Sequence, residues 1–154
     1  MRRKPALTAL LLGWVGLFAF ITSGATQLQA ATLKLQVQLI WGTGDDRSPD
    51  PKHKSVESEV KMKLKDLPLK WNNYFEVNRK DFEVPASGTN KVPLSEKCAL
   101  EVKSLGGAKL EVALFGKGKE TLRRTQTLNK GEMLVLGGNA PNSTAWLVVL
   151  KRIE

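Results

Sequence analysis

Asp45, Asp46 and Asp50 fall in one stretch, Gly42-Thr-Gly-Asp-Asp-Arg-Ser-Pro-Asp-Pro51. Carboxylates grouped in a loop are the residue type that holds calcium. Their spacing is not that of an EF-hand loop, and no glutamate stands where the last ligand belongs. Among prolines and glycines, aspartates more simply close turns onto their own backbone. No metal is expected. The three aspartates stand instead as candidate binding residues, together with the basic pair Arg123 and Arg124.

Nucleophilic chemistry needs a nucleophile, a base and an orienting group. His53 is the single histidine, so two-histidine metal motifs are excluded, and in its lysine-flanked loop it reads as a solvated residue. No Gly-x-Ser-x-Gly elbow is present. Cys98 is the single cysteine, which excludes an internal disulfide framework and a cysteine-clustered metal site. It alternates in step with Leu100 and Val102 and reads as a small, buried, chemically idle core residue. Gly116-Lys-Gly118-Lys119 lacks the phosphate-loop spacing and reads as a hairpin turn. Asn142-Ser-Thr144 matches a glycosylation triplet, a motif short enough to arise by chance. Trp41, Trp71, Tyr74, Phe75 and Trp146 could stack sugars, but aromatics at strand positions supply the largest buried areas and read as core. No catalytic residue and no cofactor is expected.

These residues must be carried by a chain of 154 residues, enough for one domain and hardly two. Its hydrophobic fraction of 42% supports a packed core. Arg2, Arg3 and Lys4 open the chain, Ala6 to Ile21 carry no charge, and Thr22 to Ala30 are small and polar. That order is a secretory signal peptide, and the apolar run is too short to span a bilayer as a helix. The expected domains are residues 1–30 as signal peptide and 31–154 as one β-rich domain, with no membrane span after cleavage. Taking those three cations from the 24 basic residues leaves 21 against 15 acids, a formal +6. Outside the cell, such charge meets anionic glycans or acidic proteins rather than nucleic acid.

Leu33, Leu35, Val37, Leu39 and Trp41 alternate with Lys34, Gln36 and Gln38, a half-buried strand. Val56, Val60, Leu64 and Leu67 form one helical stripe, with Ser55 placed to cap it. Strands and tight turns follow: 71–77, 82–84, 91–94, 98–103, 110–114, 121–128 and 133–136. Gly106-Gly107 reads as a hairpin turn. Trp146 to Leu150 is apolar on both faces and should be a central strand. The fold class is mainly β, an antiparallel sandwich or open barrel with one short amphipathic helix near the start.

This order of features resembles a group of small exported bacterial proteins. The likeness lies in the strand, the Asp-Pro loop before an amphipathic helix, and Lys70-Trp-Asn-Asn-Tyr-Phe-Glu-Val77. It extends to the Gly-Glu-x-Leu-Val-Leu-Gly-Gly stretch at Gly131 to Gly138 and the apolar last strand. The resemblance implies export and a compact β domain, and no catalytic residue. The expected role is a periplasmic or extracellular cell-envelope domain without catalysis, binding an envelope protein or an anionic glycan. The alternative is a glycan or cell-wall hydrolase working through two carboxylates.

Overall fold

The structure, a computed structural model, describes residues 31–140 and 143–154. The segment expected as a signal peptide and Asn142 of the glycosylation triplet lie outside the described residues. In chain order the elements are β1 (Leu33–Thr43), β2 (Lys54–Ser55), α1 (Ser58–Lys65), β3 (Asn73–Val84), β4 (Thr89–Ser95), β5 (Cys98–Ser104), β6 (Lys109–Gly116), β7 (Lys119–Thr127), β8 (Met133–Asn139) and β9 (Ala145–Arg152). A five-stranded sheet runs β2-β3-β1-β9-β8, and a four-stranded sheet runs β4-β5-β6-β7. Both are antiparallel, and β7 and β8 end their sheets without pairing to each other. The architecture is therefore a β-sandwich and not a closed barrel.

The alternation in β1 decides the layers. Leu33, Leu35, Val37 and Leu39 point to the four-stranded sheet and pack with Leu100, Val102, Leu110 and Val112. On the opposite face of the same sheet, Ile40, Tyr74, Leu147 and Val149 receive Val60 and Leu64 of α1. The helix is thus a third layer. β9 lies between β1 and β8 and is buried on both faces from Leu147 to Leu150.

Of the helical stripe, Val60 and Leu64 lie on α1 as expected, whereas Val56 precedes the helix and Leu67 follows it, both half-buried against the same cluster. Met62, which lies off that stripe, is 62% exposed on the helix. Two details differ. Ser55 does not cap α1: it pairs with Phe75 as part of β2, and Glu57 holds the cap position without a side-chain bond. Gln38 is buried, because the helix layer covers the polar side of β1.

The two pieces expected at 71–77 and 82–84 are one strand, β3, carrying a bulge. Leu39 pairs with Asn78 and Ile40 with Glu76, so Val77 is the extra residue. Polar contacts hold the bulge: Asn78 Nδ2 donates to the Leu94 carbonyl at 2.7 Å, and its Oδ1 accepts from the Arg79 amide at 2.8 Å. Glu76 is buried and takes two bonds from Arg79, whose Nη1 also reaches Glu57 beside α1.

Turns follow their glycines. Lys117 and Gly118, at φ 50° and 78°, join β6 to β7 in the left-handed conformations that a two-residue hairpin demands. Gly137 has φ 140°, and a Cβ there would stand 2.2 Å from the Trp146 carbonyl oxygen. The approach of β8 to β9 depends on that missing side chain.

Val60→Asp should cost several kcal/mol, on the order of 3–5, because it places an unpaired charge under the helix. Gly137→Ala should cost roughly 2–5 kcal/mol through backbone strain and strand separation. Denaturant midpoints with unchanged slopes would check both.

Candidate functional site

The five-stranded sheet outruns its partner at one end. In the second sheet, β5 begins at Cys98 and β6 ends at Gly116, and these two residues pair. In the first sheet the inward-facing rows continue past that level. Leu39 pairs with Val148, and two residues further Trp41 pairs with Trp146 on one side and Phe75 on the other. Residues two apart on a strand share a face. Phe75, Trp41 and Trp146 therefore form one cross-strand row on the face that the second sheet leaves uncovered.

Trp41 and Phe75 are half-buried, with ring centroids 6.2 Å apart and planes inclined by 33°. Trp146 is 44% exposed. Beyond it the row ends in Gly138, which pairs with Trp146 and adds no side chain. Of the aromatics expected in the core, Tyr74 is buried beneath α1, where its hydroxyl donates to the Trp71 carbonyl. Trp71 packs at the edge of the same cluster and donates to the Ser143 carbonyl at 2.9 Å. Trp146 is the correction. Its strand is central, but the sheet that would cover this end of it stops short.

On one side of the row lies the polar loop. Trp41, Asp45, Asp46, Arg47, Ser48 and Thr144 line a shallow concavity of about 610 Å³. Thr43 Oγ1 accepts from the Asp45 amide at 3.1 Å and lies 3.2 Å from Asp45 Oδ2. Asn73 Nδ2 donates to the Asp45 carbonyl at 2.9 Å and reaches Asp46 Oδ1 at 3.4 Å. Both carboxylates remain exposed. Asp50 does not join them. Its Oδ1 accepts from the Lys52 amide at 2.9 Å, an aspartate closing its own turn.

His53 is not the solvated residue that its neighbours suggest. Its side chain is 12% exposed, and its ring lies 6.3 Å from that of Trp41. Nδ1 meets Ser48 Oγ at 2.6 Å, while Nε2 stands 3.7 Å from Asp50 Oδ2. Ser, His and Asp do meet, but the carboxylate is beyond hydrogen-bond reach of the ring. Ser48 Oγ is also 3.4 Å from the Asp50 amide, closing the loop on itself. The trio locks the loop against Trp41.

The structure separates Arg123 and Arg124 from this surface and from each other. Neighbours on a strand point to opposite faces. Arg123 spends its guanidinium on Glu120, through Nε and Nη2 at 3.0 and 2.6 Å, and on Glu111 at 2.6 Å. Those bonds, Glu120 first, raise the pKa of Arg123 and pull Glu120 below the usual carboxylate range. The carboxyls of Glu132 and Glu154 are also pulled down, by bonds from Asn129 and Lys34. Among the described residues, no three His, Cys, Asp or Glu side chains converge as metal ligands.

On the other side of the row, the gap between the sheets opens as an apolar cleft of about 680 Å³, with Trp146, Val148, Leu39, Val77, Leu114 and Phe115 on its walls. Cys98 lies here, half-buried rather than fully buried, and packs on the main core. Burial pushes its thiol pKa up. At neutral pH a thiol reagent should label native Cys98 much more slowly than the unfolded chain, since the thiolate is the reacting species. The labelling rate should rise with pH. Equal rates in native and unfolded protein would refute this placement.

No protein-family model, curated protein or solved structure matches the chain.

Proposed function

We propose that this chain is an exported, non-catalytic cell-envelope domain that binds a glycan on the row Phe75–Trp41–Trp146. Export rests on the basic, apolar and small-residue order of residues 1–30. The observation that carries the glycan reading is the register that places these aromatics in one row, Trp146 exposed and Trp41 and Phe75 half-buried, beside exposed Asp45 and Asp46. A sugar ring has apolar C–H faces and polar hydroxyl edges. An aromatic floor accepts the face, and carboxylates at its border accept the hydroxyl hydrogens. The floor is held by two backbone ladders, so little ordering accompanies binding.

Calorimetric titration with soluble peptidoglycan fragments and with neutral oligosaccharides tests this reading. Saturable binding is expected with at least one of them. Trp41→Ala should weaken it about tenfold or more, which is 1.4 kcal/mol per decade. Asp45→Asn and Asp46→Asn should each weaken it less. Arg123→Glu with Arg124→Glu should leave it unchanged, because that pair lies on β7, away from the row. Binding lost with the arginines but kept without Trp41 would move the site to the basic strand and end this reading.

A further inference from the structure

The cleft beside the aromatic row differs in chemistry from the row itself. Its walls come from both sheets: Leu39, Val77 and Val148 from the first, Leu114 and Phe115 from the second. Where the second sheet ends, Cys98 faces Gly116 across the β5–β6 ladder. That rung offers one small side chain and one hydrogen, which leaves room between the layers. The volume, about 680 Å³, is within the range of small-molecule sites. An apolar gap between two sheets suits a hydrocarbon chain.

Charge at the rim selects the other end of the ligand. Lys97 and Lys117 line the mouth, and the turns that carry them are tied together by the Lys117 amide donating to the Lys97 carbonyl at 2.8 Å. Glu96 is the acid among the lining residues. The rim is therefore net positive above an apolar interior, and that pairing fits an anionic amphiphile better than a neutral chain.

We propose that this cleft is a fatty-acid site, taking a single acyl chain between the sheets with its carboxylate between Lys97 and Lys117. The site does not depend on the glycan reading of the row; the two surfaces meet only at Trp146.

Cys98 supplies a reporter in the unaltered protein. The full exported chain is treated with a thiol reagent at mildly alkaline pH, with and without sodium laurate below its micelle concentration. Saturating laurate should slow Cys98 modification at least roughly tenfold, with a hyperbolic concentration dependence, because the chain covers the thiol. Dodecanol, the same chain without the charge, should require roughly tenfold higher concentration. Lys97→Gln with Lys117→Gln should abolish that difference and leave dodecanol protection as it was. Trp41→Ala should leave laurate protection intact, which keeps a failure of the glycan row separate from a failure of this site. A modification rate unaffected by laurate overturns the proposal. Protection by an apolar peptide but not by laurate also overturns it, and makes the cleft a peptide groove.

Discussion

Two backbone ladders hold β1, one to β3 and one to β9, and between them they fix which of its side chains face the second sheet and which face the helix. Period two does the rest. Once Leu35 and Val37 are committed to the sandwich core, Trp41 must lie on the same face further along. The ladders then bring Phe75 and Trp146 beside it. The bulge at Val77 is part of this constraint. Were Val77 to pair in regular register with Ile40, every pairing beyond it would slip by one, and Phe75 would turn toward α1. The polar bonds of Asn78 and the Glu76–Arg79 pair secure the bulge. They act on the site without touching it.

The mismatch in sheet length converts this pattern into a surface. β1 and β3 run 11 and 12 residues, whereas β5 and β6 run 7 and 8. A sandwich of equal sheets would bury the aromatic row as ordinary core. Here the row lies beyond the last rung of the smaller sheet. The same end of the molecule therefore has an open aromatic floor and, where the sheets still overlap, a slot. The loop after β1 returns to this end because Ser48, Asp50 and His53 close it against Trp41.

Much of the fold is legible in the residues, and the reasons are local. The alternation from Leu33 to Trp41, the stripe Val56-Val60-Leu64-Leu67 and the glycine-marked hairpins each encode an element by period or by turn chemistry. Arg123 and Arg124 could also have been separated at that level, since adjacent strand residues face opposite ways. Trp146 could not. Its strand is apolar on both faces, and only the length of a sheet built from other residues decides that its indole stays open. Gln38 fails for a related reason. Its place in the alternation promises solvent, but α1 packs over that side and leaves its Oε1 buried without a partner among the described residues. Such an atom costs about 1–3 kcal/mol, which is tolerable only because the helix buries much more apolar surface.

The free edges show how the smaller sheet can stop where it does. β7 is exposed along all nine residues, and its Leu122, Arg124 and Gln126 share the face that Val112 turns to the core. That strand overhangs the sandwich and has little opposite it to cover. It is also rich in charge, with Lys119, Glu120, Arg123 and Arg124, which discourages pairing with another strand. Closing the barrel would require β7 to bond β8 and would draw the sheets together along their length. A closed barrel of these strands would narrow the slot beneath Trp146 and cover the row. An edge strand that repels neighbours keeps the sandwich open, and the openness gives this end both its aromatic floor and its apolar cleft.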